Sequence, residues 1–116
     1  MNDLARVEAR DLSGAMLVRV SGEIDLSNSR DVMDAIAGAV PHAASVVVVD
    51  LSDTAYLDSS GIAMIFRLAE RFGHRRQDLR LVVPPDAPVR AVLELTRVDH
   101  VIPIDASVDE TPGLSP

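Results

Sequence analysis

Seven residues, Ser45-Val46-Val47-Val48-Val49-Asp50-Leu51, form a short, unbroken β-branched run. Such a run cannot alternate between a dry and a wet face, so it reads as a strand covered on both sides, at the centre of a sheet. A few residues on, Ile62, Ile65, Phe66, Ala69 and Phe72 recur at helical spacing and mark one face of a helix packed on that strand. Between the two lies Tyr56-Leu57-Asp58-Ser59-Ser60-Gly61. Asp58 is a good N-cap, which places Ser59 and Ser60 in the first helical turn, where backbone N–H groups lack intrahelical partners and an anion is favoured.

The rest of the chain fits around this unit. Residues 4 to 10 alternate as an edge strand, with Ala5, Val7 and Ala9 on one face and Arg6, Glu8 and Arg10 on the other. Asp11-Leu12-Ser13-Gly14 is turn chemistry. A second strand over 15 to 21 turns Met16, Val18 and Val20 inward, so the opening reads as a β-hairpin. Gly22-Glu23-Ile24-Asp25 follows, and Ser27-Asn28-Ser29 offers caps for a helix striped by Val32, Ile36, Ala39 and Val40 and stopped by Pro41. Taken alone, Asp25 is a turn or cap carboxylate. Phe72-Gly73 ends the central helix, Leu79 to Val83 makes a further strand, and Asp86 and Pro88 open a third helix facing inward through Val89, Val92, Leu93 and Thr96. A short last strand is expected around Val101 to Ile104.

Composition narrows the functions. The 116 residues suit one domain, and 47% hydrophobic content with only 3% aromatic implies an aliphatic core. With no cysteine there is no disulfide framework and no thiolate metal site. All eleven basic residues are arginine, which removes the lysine of a phosphate-binding P-loop and of a receiver domain. A net charge of −7 without a basic stripe argues against nucleic acid as a partner. Neither a signal pattern nor a membrane-length apolar run is present, so a cytoplasmic protein with no membrane partner is expected. Asp50, Asp53 and Asp58 lack the spacing of a calcium loop, and His42, His74 and His100 share no metal-ligand spacing, so no resident metal and no cofactor is expected. On the outer face of the central helix, Met64 stands away from the core stripe among Ser60, Arg67 and Arg71 and reads as partner surface.

Asp58-Ser59-Ser60-Gly61 after a hydrophobic strand, with Gly22-Glu23-Ile24-Asp25 closing an earlier one, resembles the STAS domain family, and within it the bacterial anti-sigma factor antagonists. The likeness runs over roughly residues 4 to 104. It implies a single α/β STAS-like domain, with a mixed sheet of four to five strands and three to four helices over residues 1–104, and a flexible tail over 105–116. It also implies a function. The unphosphorylated form would bind an ATP-carrying anti-sigma factor that is a serine kinase, freeing the sigma factor. Phosphorylation of Ser59 would end binding, and a phosphatase would restore it. Asp25 would lie near Ser59 and could orient its hydroxyl, with Asp58, Ser60, Gly61 and Met64 completing the partner surface. Related proteins tend to have Gly where this chain has Arg97, so either the turn differs or Arg97 is left-handed at a cost of roughly 1 kcal/mol.

Two other functions compete. One is a non-phosphorylated STAS scaffold, such as an accessory subunit of a transporter or of a stress-signalling assembly. The other is a hydrolase using Ser59. No histidine sits in a motif that would supply its base, and the Gly-x-Ser-x-Gly elbow is absent, which disfavours a hydrolase; the resemblance implies instead a kinase substrate and not an enzyme.

Overall fold

The computed structural model describes residues 4–111. Along them run β1 (Ala5–Asp11), β2 (Ala15–Ile24), α1 (Ser29–Ala39), β3 (Val46–Asp50), β4 (Thr54–Leu57), α2 (Ser59–His74), β5 (Asp78–Val82), α3 (Arg90–Leu95) and β6 (Ile104–Asp105). Strands β1 and β2 form the expected antiparallel hairpin, paired from Ala5 with Gly22 to Asp11 with Met16. Its turn is made by Ser13 and Gly14, both at positive φ, with the Ser13 N–H donating to the Asp11 carboxylate at 3.0 Å.

From β2 onward every pairing is parallel, in the order β2, β3, β5, β6, so β3 is central as the valine run requires. Each crossover steps the same way across the sheet. Right-handed connections then put α1, α2 and α3 on one face. Met16, Val18 and Val20 of β2, Val47 and Val49 of β3, and Leu79 and Leu81 of β5 share a single core with the helices. On the opposite face, among the described residues, Leu17, Val48 and Val82 form a small second cluster with Leu12, Val46 and Val108 packed beside it.

Among the described residues the sheet has six strands, more than expected. The addition is β4, in what the sequence presents as an Asp-rich loop, and it pairs with the end of β2. Four residues are too few to carry a periodic signal. What stabilises β4 is the edge that β2 leaves free once β3 has ended, together with buried Thr54, whose hydroxyl donates to the Val20 carbonyl at 2.7 Å.

The second correction concerns α2. Its buried residues are Gly61, Ile62, Met64, Ile65, Leu68 and Phe72, while Phe66 and Ala69 are only partly covered. Met64 is 2% exposed, not an outward-facing residue. The cause is α1, which lies alongside α2 and gives it a second apolar neighbour besides the sheet, rotating the buried stripe toward Met64 and Leu68.

Beyond residue 104 the fold continues, so the expected boundary cuts through β6. Arg80 grips Asp105 with two hydrogen bonds, at 2.9 and 3.0 Å, and the Thr111 hydroxyl donates to the same carboxylate at 3.1 Å. Those bonds, that of Arg80 foremost, hold the Asp105 carboxyl below its ordinary range. Thr111 itself is buried. The expected tail is thus packed as far as residue 111, and its remainder, 112–116, lies outside the described residues. The third helix is shorter than expected, and Thr96 is exposed, its hydroxyl bonded back to Val92 and Leu93 carbonyls. Arg97 does adopt the left-handed conformation, at φ 60°.

Met64→Asp buries a carboxylate among aliphatic side chains and removes their packing, so it should destabilise the domain by at least about 3 kcal/mol. Urea unfolding measures this. An unchanged midpoint would mean that the side chain is not in the core.

Candidate functional site

Strand β2 is hydrogen-bonded to β3 along its first half and to β4 along its second, with Glu23 opposite Tyr56 and Ile24 opposite Leu57. The switch is made at Gly22, where the register shifts and φ is +94°. A Cβ there would stand 2.1 Å from the Leu4 carbonyl oxygen, so only glycine fits. Because β2 and β4 end side by side, the segments following them, Asp25 and Asp58, meet at one edge of the sheet.

Asp58 caps α2 as expected. Its Oδ1 accepts from the Ser60 N–H at 2.9 Å, the Gly61 N–H at 3.1 Å and the Ser60 hydroxyl, while Oδ2 accepts from the Leu26 N–H at 3.2 Å. The Asp58 N–H in turn donates to the Ile24 carbonyl. One side chain therefore joins α2 to the loop between β2 and α1. The Ser60 hydroxyl is the main cause holding the Asp58 carboxyl below its ordinary range; the amides of Gly61, Ser60 and Leu26 add to this and burial opposes it.

The two serines are thereby made different. Ser60 is half-buried and its hydroxyl is bound to Asp58, whereas Ser59 is exposed and its hydroxyl has no hydrogen-bond partner among the described residues. Gly61 is buried, its Cα so close to Leu57 and Ile24 that a Cβ would lie 2.9 Å from one and 3.4 Å from the other. It contributes an N–H and a close approach, not partner surface. Met64, in the core, contributes little surface either.

Asp25 sits at the same edge without bonding to Ser59. Its Oδ1 takes the N–H and hydroxyl of Ser27. Its own N–H donates to Oδ1 of Asn28, whose Nδ2 donates to the Glu23 carbonyl. Asn28 is fully buried. Its sequence position suggests a helix cap, yet its side chain instead cross-links the loop that carries Asp25. Two surface residues were not singled out from sequence. Leu26, 82% exposed, donates its N–H to Asp58, and Tyr56, 49% exposed, lies in β4 two residues before Asp58. An isolated leucine between Asp25 and Ser27, outside any apolar period, was the available signal for the first.

The other carboxylates of the loop lie apart from this site. Asp50 accepts from the N–H and hydroxyl of Ser52 and lies 3.6 Å from Arg19, which also approaches Asp53 at 4.0 Å. Among the described residues no three acidic or histidine side chains converge as metal ligands, and all three histidines are exposed. No helix among them is long and apolar enough to cross a membrane.

A parallel sheet extended by an N-terminal hairpin, helices on one face, and a capped Asp-Ser-Ser-Gly turn define a STAS domain. Residues 3–103 match the family model described as Mlab, STAS domain, and the chain belongs to this family. No curated protein gives a match. Among solved structures it is similar to an anti-sigma factor antagonist from Mycobacterium paratuberculosis, with 27% identity over 91% of this chain and 89% of that one and a TM-score of 0.80. It also resembles a putative anti-sigma factor antagonist from Thermotoga maritima (18% identity, 90% and 89% covered, TM-score 0.76). The Bacillus cell fate determinant SpoIIAA in its phosphorylated form matches at 15% identity, with 85% and 90% covered and a TM-score of 0.61.

Two substitutions test this geometry. Gly22→Ala forces a Cβ into a carbonyl at positive φ and should cost about 2 kcal/mol or more in urea unfolding. Asp58→Ala removes the cap and should cost about 1 kcal/mol at neutral pH. Because folding lowers the Asp58 pKa, the cap's contribution is complete above the unfolded value, about 4, and is lost as pH falls through the folded one. The gap between Asp58→Ala and the natural protein should therefore narrow below about pH 4. A gap that stays constant to pH 2 would contradict the assigned cap.

Proposed function

We propose that this protein is an anti-sigma factor antagonist, in which Ser59 is the phosphorylated residue and its modification switches off binding to an anti-sigma factor that is a serine kinase. The observation that carries this reading is the contrast between the two serines. Ser59 offers an exposed hydroxyl without a hydrogen-bond partner among the described residues, at the N-terminus of a 16-residue helix, while Ser60 is tied to Asp58. The likeness to an anti-sigma factor antagonist at 27% identity supports the same role.

The switch is electrostatic and local. A phosphate on Ser59 adds about −1.5 to −2 charges beside an Asp58 that is already ionised and already occupies the first-turn amides. The helix end offsets part of this by about 0.3 to 1 kcal/mol, so the domain stays folded. A docked partner that covers Leu26 and Tyr56 would also have to desolvate the phosphate, and an unmatched charge buried at an interface costs several kcal/mol.

In this reading the chain is a kinase substrate without a cofactor of its own. ATP comes with the partner, a phosphatase resets Ser59, and the setting is the cytoplasm. Neither nucleic acid nor a membrane is engaged. A hydrolytic role is disfavoured because the Ser59 hydroxyl has no base bonded to it among the described residues, and the neighbouring Ser60 hydroxyl is held by Asp58, a helix cap and a weakened base.

Incubation with ATP and an anti-sigma factor serine kinase from the same organism, followed by phosphopeptide mapping, tests the assignment. The expected result is phosphate on Ser59, none in Ser59→Ala, tight binding of Ser59→Ala and weak binding of Ser59→Asp. Phosphate on Ser60 alone would overturn it.

A further inference from the structure

One helical turn beyond Ser60, a groove of about 330 Å³ opens between α1 and α2, lined by Ser29, Arg30, Met33, Met64 and Arg67. Met33 and Met64 belong to the core or pack on it and form the floor, whereas Arg30 and Arg67, one from each helix, are exposed. Neither arginine has an acidic side chain within ion-pair distance among the described residues. The next rung along the same two helices is different. There Asp34 of α1 lies 3.9 Å from Arg71 of α2, an ordinary cross-helix pair. On the open face of the sheet, Arg10 and Arg19 also share a groove, but Glu8 lines it with them. The α1–α2 groove thus brings two cations together with no anion, on a chain whose net charge is −7.

We propose that this groove receives an acidic segment of the anti-sigma partner, with an apolar side chain against Met33, the partly exposed methionine of the floor, and a carboxylate between Arg30 and Arg67. The inference rests on the functional reading above, because it extends along α1 and α2 a partner already docked around Ser59. The chemistry fits such an occupant. Guanidinium forks bind carboxylates in a bidentate manner, which relieves the repulsion between two like charges, and unbranched methionine adapts to whichever apolar side chain arrives. A basic segment would be repelled by the two arginines. An acidic one is disfavoured over much of this negative surface and admitted here, so the groove selects both a partner and its register.

The test uses the full chain, unphosphorylated, with the nucleotide-bound kinase that modifies Ser59, in isothermal titration. Arg30→Glu/Arg67→Glu should weaken binding by about tenfold or more, and Arg30→Gln/Arg67→Gln by less. Melting temperatures should be unchanged, since both side chains are exposed. A control with the same change in net charge, Arg10→Glu/Arg97→Glu, should stay within about twofold. Equal losses in the control and the groove variant, or a groove variant that binds like the natural protein, would overturn the inference while leaving the phosphorylation switch intact. If the natural protein bound no kinase, the functional reading would fail, and this inference with it.

Discussion

The carboxylate of Asp58 ties together the two segments on which the site is built. Through Oδ1 it closes the first turn of α2, and through Oδ2 it holds Leu26 of the preceding crossover. Capping is a local device, but this cap reaches 32 residues back along the chain. The geometry of the Asp-Ser-Ser-Gly turn and the loop carrying Asp25 are thereby coupled. The same oxygen that takes the Ser60 hydroxyl leaves the Ser59 hydroxyl as the exposed one, so a stability feature and a chemical selectivity come from one interaction.

That coupling depends on β2 reaching far enough to meet β4. After pairing with β3, β2 must turn slightly to pair with a second partner, and Gly22 is the residue that permits it, at a point where any Cβ would strike the backbone of Leu4. Thr54 and Asn28, both buried, satisfy the main-chain groups that the irregularity exposes, through bonds to Val20 and Glu23.

Ion pairs join several elements, while other arginines have no carboxylate within ion-pair distance among the described residues. Arg80 and Asp105, Arg90 and Glu94, and Arg71 and Asp34 pair across or within elements, and the first of these helps hold the last described residues, with Val108 packed against Val48 and Val82. Near α2's N-terminus the pairing lapses. There the negative charge of Asp58 is met by amides, and the positive charges of Arg30 and Arg67 are met by no carboxylate among the described residues. An arrangement that leaves both signs available over a short distance suits binding another protein better than it suits stability.

Much of this could be read from residue order. The valine run announced a central strand, the alternation before it a hairpin, and Asp58 a helix cap, because each depends on contacts or periods within a few residues. The family was legible from two short motifs for the same reason. Long-range packing decided the rest. A helix with two apolar neighbours buries a wider stripe than one lying on a sheet alone, so Met64 went inside. A four-residue strand exists because β2 left an edge to pair with, and the last seven described residues are ordered because Arg80 lies where Asp105 can reach it. Sequence determined the elements and the identity of the turn. The local cap also separates the two adjacent serines, since the Ser60 hydroxyl bonds Asp58 two residues away, whereas only the tertiary structure decided which side of α2 faces out, because that follows from α1, a partner far away along the chain.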